Sequence, residues 1–147
     1  MTYKIFLSGE IHSGWRQEII EGAKSKGLNI TFAYPELDHD ASDNCGLQIV
    51  GEEESAFWKD HKAARINAIR IRKGIEDANI VVVRFGDKYR QWNAAFDAGY
   101  ATAKGKSLIV CHPEEFTHAL KEVNAAASAT AHTTEQVLEI LAYLCRD

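Results

Sequence analysis

The chain has 147 residues, 46% of them hydrophobic, which suits one domain spanning residues 1–147 with a single buried core. Its 17 basic and 21 acidic residues are scattered and give a formal net charge of −4, so we expect no nucleic-acid partner. No apolar run approaches the roughly 20 residues that span a bilayer, and the polar start of the chain lacks the features of a signal peptide. We therefore expect a cytoplasmic protein with no membrane partner.

Four short apolar runs rich in β-branched residues predict buried strands: Tyr3 to Leu7, Asn29 to Ala33, Ile80 to Phe85 and Leu108 to Cys111. Because these runs are apolar throughout and do not alternate, both faces of the sheet should be covered, as in parallel sheets. Helical patterns lie between the runs, and the first, Trp15 to Lys26, ends before a glycine.

A long helix precedes the third predicted strand. One of its faces is predicted to pack on the sheet through Phe57, Ala64, Ala68, Ile71, Ile75 and Ala78. Ile66 and Ile69 project from the opposite side among basic residues, which predicts a homo-oligomer through this helix. The alternative is two isolated surface isoleucines, which are ordinary.

After the fourth strand, residues 114 to 123 predict a short helix, and Ala125 to Ala131 predicts an edge strand. Thr133 and Gln136 can form a capping box for the closing helix. Five strands alternating with helices predict an α/β fold: a flavodoxin-like, doubly wound, mostly parallel five-stranded sheet with helices on both faces. Ligands of such folds bind beyond the carboxyl ends of the strands, here at the switch point between the first and third strands.

The first predicted strand ends in a polar, glycine-containing segment that leads into a helix. Glycine lets the backbone approach a ligand closely, and a helix N-terminus favours an anionic group. We therefore expect a polar ligand group there, although no phosphate-loop motif is present, and an ordinary capped turn is the alternative. The candidate ligand-binding residues are Ser8, Gly9, Trp15 and Arg16, with Glu10 and His12 as candidate proton donors.

The third predicted strand ends in a segment that crowds cations, aromatic rings and carboxylates at the switch point. Tyr89 and Trp92 are suited to stacking on a flat base, and Asp97 to acting as a nucleophile or hydroxyl acceptor. The plainer alternatives are that Trp92 packs in the core, Arg84 pairs with Asp87, and Asp97 only favours the helix N-terminus. The candidate ligand-binding residues are Arg84, Gly86, Asp87, Tyr89, Trp92 and Asn93, and Asp97 is the catalytic candidate.

The connection from Tyr34 to Ser55 is long and has few periodic apolar positions, which is typical of a functional loop. Its possible metal ligands are Asp38, His39, Asp40 and Asp43. Their spacing is not diagnostic of a metal site, and we favour a solvated loop or a lid from which His39 reaches the ligand. The chain's cysteines, Cys45, Cys111 and Cys145, have no paired spacing and are expected to be reduced. We expect no metal and no cofactor.

Three segments resemble the YtoQ family, and the resemblance covers almost the whole length: Ser8 to Arg16, Asp38 to Asp43, and Arg84 to Tyr100. That family's fold is similar to the fold of nucleoside 2-deoxyribosyltransferases, so the resemblance implies one domain of that type. In those enzymes the segment between strand and helix carries an aspartate, a glycine, and a serine or threonine. A nucleophilic glutamate and another glycine follow.

This chain matches part of that pattern. Asp97 stands where the glutamate is expected and Gly99 matches the later glycine. Gln91, Asn93 and Ala94 replace the other motif residues. Aspartate is one methylene shorter than glutamate, so attack would require the sugar to lie about 1 to 1.5 Å closer. The resemblance implies a nucleoside site at Asp97 and leaves the activity open.

Three functions are consistent with these residues. The first is an enzyme that hydrolyses or transfers the N-glycosidic bond of a nucleoside, nucleotide or related N-riboside, with Asp97 at the anomeric carbon and Glu10 or His12 protonating the leaving base. The second is a non-catalytic module that binds or senses a nucleotide-derived metabolite in the same cleft. The third is a metal-dependent hydrolase built on His12 and the segment Asp38 to Asp40.

Overall fold

The computed structural model describes residues 2–146, in which strands and helices alternate. The strands are β1 (Tyr3–Gly9), β2 (Ile30–Ala33), β3 (Ile80–Arg84), β4 (Ser107–Cys111) and β5 (Ala129–Ala131). The helices are α1 (Trp15–Ser25), α2 (His39–Val50), α3 (Ala56–Asp77), α4 (Trp92–Ala103), α5 (Lys121–Ala126) and α6 (Thr134–Leu144). The strands pair in parallel in the order β2-β1-β3-β4-β5. The predicted flavodoxin-like α/β fold is confirmed.

Helices cover both faces of the sheet, as the uninterrupted apolar runs predicted. Side chains alternate along each strand, so Ile5 and Leu7 join one buried cluster and Phe6 joins the other. Helices α1 and α6 complete the first cluster, and α3 and α4 complete the second. Their buried residues include Trp15, Ile19, Val137 and Leu141 on one face, and Ile75, Ala94, Ala98 and Ala101 on the other.

The register of the central strands places their carboxyl ends at one level. Gly9 lies opposite Arg84 across the β1–β3 pair, and Arg84 lies opposite Cys111 across the β3–β4 pair. The loops that follow β1 and β3 therefore begin side by side. This is the switch point of the doubly wound order. The chain passes from β1 to its neighbour β2 on one side, and from β2 it crosses to β3 on the other side of β1.

The connection between Tyr34 and Ser55 is not the predicted loop, because α2 occupies most of it. The Asp38 carboxylate accepts a hydrogen bond from the Ala41 amide at 3.0 Å and caps this helix. Helix α2 packs closely on α3 at Gly46, where an added Cβ would come within 2.6 Å of Lys62 Cβ. A helix that packs on one neighbour needs few apolar residues, which explains why its periodicity is weak.

The segment Ala125 to Ala131, predicted as one edge strand, is divided between two elements. Helix α5 continues to Ala126, and only Ala129–Ala131 pairs with β4. The predicted helix over residues 114 to 123 is also divided, into a short 3₁₀ turn at Glu114–Phe116 and the start of α5. Alanine has the highest helix propensity, so an alanine-rich stretch extends a helix readily and starts a strand only where a neighbour supplies the pairing.

Helix α3 meets the sheet with only its second half. Ile75 and Ala78 are buried there, as predicted, but Phe57 is 66% exposed and Ala64 is also exposed. A helix of 22 residues is about 33 Å long, roughly twice the length of the five-residue strand that follows it. The N-terminal half of α3 therefore extends beyond the sheet and packs on α2, and the prediction of one continuous sheet-facing stripe is wrong for that half.

Several exposed apolar side chains lie on α2 and α3. Ile69, from the predicted oligomer surface, is 73% exposed, but Ile66 is half-buried. The other exposed residues of this region are Ile49, Val50, Phe57 and Trp58. Homo-oligomerisation stays a prediction. Among residues 2–146, none of the helices is long and apolar enough to cross a membrane.

We expect Gly9→Ala to lower the free energy of unfolding by more than about 2 kcal/mol, measured by urea denaturation. Gly9 has a φ of +116°, and a Cβ there would lie 2.1 Å from the Arg84 carbonyl oxygen. The matched control is Gly14→Ala, because Gly14 has a φ of −81° and an added Cβ would meet no atom within 4 Å. Its effect should stay below about 1 kcal/mol, and equal losses in the two variants would contradict the close approach of β1 and β3.

Candidate functional site

The residue that follows β1 is tied directly to the end of β3. The Glu10 amide donates to the Arg84 carbonyl oxygen at 3.0 Å, which continues the strand pairing by one residue. Gly9 permits this contact because it has no side chain to separate the two backbones. The two segments that the sequence analysis singled out are thus in contact at the switch point.

Glu10 is only 5% exposed and is surrounded by donors. Its Oε2 accepts from the amides of His12 at 2.7 Å and Ser13 at 3.1 Å, and its Oε1 accepts from the Ser13 hydroxyl. Burial raises the pKa of Glu10, but the Ser13 hydroxyl, the two amides and the Arg84 charge together outweigh it, so the net pKa is lowered. The predicted role of Glu10 as a proton donor is not supported, because its carboxylate is held ionised with its oxygens occupied.

Trp15 and Arg16 open α1 beneath this loop and are buried. The Trp15 indole donates to the Glu10 carbonyl oxygen at 2.9 Å. The Arg16 guanidinium donates to the carbonyl oxygens of Leu7 at 3.0 Å, Gly9 at 3.1 Å and Glu10 at 2.6 Å. Burial lowers the pKa of Arg16 to about 10, against the opposing effect of Glu10. Both residues were predicted to bind ligand, but their donors are used by the backbone and they support the loop.

Asp97 lies in the second turn of α4, half-buried beside the fully buried Ser8. Ser8 Oγ donates to Asp97 Oδ2 at 2.6 Å. Burial raises the pKa of Asp97, and the Ser8 hydrogen bond offsets this only in part. Asp97 Oδ1 accepts no hydrogen bond from any residue between 2 and 146. Asp97 is therefore more than a favourable charge near a helix N-terminus, since it is a carboxyl group with one oxygen held and one available.

Arg84 points toward Glu10 and Cys111, so the alternative that it pairs with Asp87 is wrong. Its Nε lies 3.6 Å from Glu10 Oε1, and Nη1 donates to Cys111 Sγ at 3.3 Å. Burial raises the pKa of the Cys111 thiol while Arg84 opposes that rise. Gly86 lies over Glu10, where an added Cβ would come within 2.8 Å of Glu10 Cγ. Much of the Arg84 charge is thus compensated within the protein.

The loop between β3 and α4 is organised by Gln91, which the sequence analysis considered only as a departure from a motif. Its Oε1 accepts from the Gly86 amide at 3.1 Å, and its Nε2 donates to the carbonyl oxygens of Lys88 at 2.7 Å and Tyr89 at 2.8 Å. Tyr89 has a φ of 66°, which is uncommon for a residue other than glycine. Trp92 is 74% exposed, so the alternative that it packs in the core is wrong. Asp87 and Asn93 are also exposed.

Three aromatic side chains from separate segments lie in a row beside this loop. The His12 ring centroid is 4.9 Å from that of Tyr89 and 6.3 Å from that of His39. His39 Nδ1 lies 3.3 Å from Asp43 Oδ2. The structure thus brings His39 near His12, as a lid-like segment would require. In the described part of the chain, no group of three or more histidine, cysteine, aspartate or glutamate side chains is arranged to hold a metal ion.

An open groove of about 650 Å³ lies between α3 and α4, with α2 at its edge. Asn93 and Asp97 line it, together with residues that the sequence analysis assigned elsewhere or did not single out. These are Ala64, Ala68, Ile71, Arg65, Arg72 and Phe96. The alanines four residues apart were the available signal, but they were assigned to the sheet-facing surface. The groove exists because α3 extends beyond the sheet, a length relation that residue spacing does not show.

The parallel strand order defines a flavodoxin-like α/β domain, and the groove between α3 and α4 reaches Asp97, whose carboxyl group contacts Ser8 at the end of β1. A conserved protein from Enterococcus faecalis V583 has a similar structure, with a TM-score of 0.63 at 13% identity over 98% of this chain and 99% of that one. The 2-deoxyribosyltransferase of Bacillus psychrosaccharolyticus gives a TM-score of 0.54 at 14% identity over 92% and 90% of the two chains. Clostridium botulinum CMP N-glycosidase, BcmB, gives 0.52 at 14% identity over 94% and 97%. At these identities the likeness shows the fold.

The chain belongs to the family described as nucleoside 2-deoxyribosyltransferase YtoQ, whose model matches residues 6–145. It is 47% identical to the YtoQ protein of Bacillus subtilis (strain 168) over 144 residues, which cover 98% of this chain and 97% of that protein. The resemblance found in the sequence is therefore confirmed.

We expect Glu10→Gln to lower the free energy of unfolding by about 2–3 kcal/mol at pH 7, because it leaves the Arg84 guanidinium without its carboxylate and turns an NH2 donor toward either Arg84 or the two amides. The folded pKa of Glu10 is lowered, so its stabilisation is present above its ordinary value of 4.5 and is lost as the pH falls through the folded pKa. Urea midpoints of the wild type and the variant should converge at acid pH. Glu54→Gln, at an exposed position, is the control. A loss that is the same at all pH values would contradict this account.

Proposed function

We propose that this protein cleaves the N-glycosidic bond of a nucleoside or nucleotide at Asp97, by hydrolysis or by transfer of the glycosyl group. The observation that carries the proposal is the carboxyl group of Asp97, a residue that lines the groove: Ser8 holds its Oδ2, and no residue from 2 to 146 donates a hydrogen bond to its Oδ1. Membership of a family described as nucleoside 2-deoxyribosyltransferases supports it. Further support comes from the fold shared with a 2-deoxyribosyltransferase and a CMP N-glycosidase.

The chemistry divides into two displacements at the anomeric carbon. In the first, Asp97 Oδ1 forms a bond to that carbon while the carbon–nitrogen bond breaks, and the electron pair leaves with the base, which takes up a proton. In the second, a water molecule or an acceptor hydroxyl attacks the same carbon, loses its proton and releases the Asp97 carboxylate. The position of Ser8 suits both steps, because its hydrogen bond orients the carboxyl group without occupying Oδ1.

The proton for the leaving base is better supplied by His12 than by Glu10. Glu10 is held as a carboxylate by its neighbours, whereas His12 is exposed and its ring packs beside Tyr89. Histidine is the commonest general acid in enzymes. Tyr89 and Trp92 are 67% and 74% exposed, so their rings are free to stack on a base. In this proposal Glu10, Trp15 and Arg16 shape the loop that carries His12.

The proposal predicts that Asp97→Asn lowers base release by roughly a thousandfold or more, because the amide cannot form the glycosyl ester. Base release is measured by chromatography after incubation with a panel of nucleosides and nucleoside 5′-monophosphates. Attack requires ionised Asp97, whose pKa is raised above its ordinary value of 3.8, so kcat/KM should fall as the pH drops through that raised pKa.

The control is Asp40→Asn, which removes an exposed carboxylate from the first turn of α2 and should leave base release unchanged. No release by the wild type, or equal release by Asp97→Asn, would refute the enzymatic proposal. Thermal stabilisation by one of these ligands without any release would favour the binding or sensing module instead.

Asp97→Asn should also stabilise the protein at neutral pH, with a rise in Tm of the order of 2–4 °C. A raised pKa means that the folded state holds its proton more tightly than the unfolded chain, so the ionised form lowers stability once the pH exceeds the unfolded value. The amide removes that charge and can still accept the Ser8 hydrogen bond. The gain should disappear at pH values below the ordinary 3.8 of aspartate, and a variant that melts earlier at pH 7 would contradict the assignment of burial as the cause.

A further inference from the structure

The basic residues of α3 differ in whether the protein supplies them with a partner. Several have a carboxylate within ion-pair distance: Lys62 with Glu53, Arg70 with Glu36, and Lys73 with Asp77. Arg65 and Arg72 line the groove between α3 and α4, and neither has an ion pair or a side-chain hydrogen bond to any residue from 2 to 146. The groove therefore contains two guanidinium groups whose charge and donors are not satisfied by the protein.

The helical positions of these arginines show which wall of the groove they occupy. Arg65, Arg72 and Glu76 are separated by steps of seven and four residues, which place them on one stripe of α3. Glu76 Oε1 accepts a hydrogen bond from the Tyr100 hydroxyl at 2.6 Å, so this stripe faces α4. Helix α3 leads into β3 and α4 leads out of it, and both run antiparallel to the parallel strands. The two helices therefore run in the same direction, so one turn back from Glu76 faces one turn back from Tyr100. Arg72 thus lies across the groove from the level of Phe96 and Asp97.

Arg65 lies two turns closer to the N-terminus of α3 than Arg72, about 10 Å away along the helix axis. Between the two arginines the wall is formed by Asn67, Ala68 and Ile71, and the small side chain of Ala68 leaves space for a ligand. Among residues 2–146, no arginine lies within ion-pair distance of Asp97, so Arg72 does not form an ion pair with it. The acidic residues of the groove other than Asp97 are Asp43, on α2, and Asp60, in the first turns of α3.

We propose that Arg65 and Arg72 form a phosphate-binding wall, and that the groove takes a phosphorylated nucleoside in preference to the free nucleoside. The inference rests on the proposed function only for the placement of the sugar at Asp97. With the anomeric carbon there, a phosphate on the sugar lies one pentose length away along the groove. A phosphate carries a charge of about −1.5 to −2 near neutral pH and offers oxygens that match the fork of a guanidinium group.

The test is equilibrium binding by titration calorimetry, with the four common ribonucleoside 5′-monophosphates, the four 2′-deoxyribonucleoside 5′-monophosphates, the matching nucleosides and inorganic phosphate as probes. We expect at least one monophosphate to bind more than about tenfold more tightly than its nucleoside, and this preference to weaken as salt increases. Arg72→Gln and Arg65→Gln should each remove most of that preference while leaving nucleoside binding within about threefold.

Arg70→Gln is the matched control, since it removes a guanidinium from the same helix that pairs with Glu36 and is absent from the groove lining. Arg70→Gln should keep the preference for the monophosphate over its nucleoside. Circular dichroism melts of all three variants separate loss of binding from loss of folding. Competition by inorganic phosphate would support an oxyanion site even where the base is not among those tested.

The outcomes separate this inference from the proposed function. Base release from nucleosides with no preference for phosphate, or a preference that survives both arginine substitutions, would overturn the phosphate wall and leave the glycosidic proposal standing. Arginine-dependent binding of a monophosphate without base release would support the phosphate wall and overturn the glycosidic proposal. Failure of every nucleoside, nucleotide and phosphate probe to bind would overturn both.

Discussion

The site depends on the contact between the end of β1 and the end of β3. Gly9 lets the two backbones meet, and Glu10 and Arg84 then place opposite charges in the space above them. A buried carboxylate without donors would be strongly unfavourable, so the loop is folded to supply donors to it from Ser13 and two amides. The conformation of the loop that carries His12 is therefore a consequence of satisfying Glu10.

The same arrangement gives two neighbouring carboxyl groups opposite electrostatic surroundings. Glu10 is surrounded by hydrogen-bond donors and a cation, which lower its pKa, whereas burial raises the pKa of Asp97 and the single Ser8 hydroxyl offsets that rise only in part. Groups whose pKa values are displaced in opposite directions commonly have different roles in a site. Here the ionised group organises the backbone, and the group biased toward its neutral form is the one that lines the groove.

Much of the fold could be predicted from the sequence because its signals are local. Buried parallel strands read as short apolar runs, and the strand order followed from their alternation with helices. Helix α2 was missed because its main partner is α3, so it carries no broad apolar stripe. The N-terminal half of α3 was misassigned for a related reason: periodicity shows that Ala64 and Ala68 share a face, but it cannot show whether that face meets a sheet or an open groove.

The meeting of the two segments at the β1–β3 switch point could be predicted, whereas the functional roles of their residues stay predictions. The switch-point rule brought Ser8, Glu10, Arg84 and Asp97 together correctly, since it depends only on strand order. Which of these residues contact each other depends on side-chain directions that no spacing reveals. Ser8 could as well have faced a ligand, and Arg84 could have paired with Asp87. The sequence does not set Arg65 and Arg72 apart, because basic residues on a long helix usually lie at the surface. They differ from Arg70 in lining the groove and in having no ion-pair partner among residues 2–146.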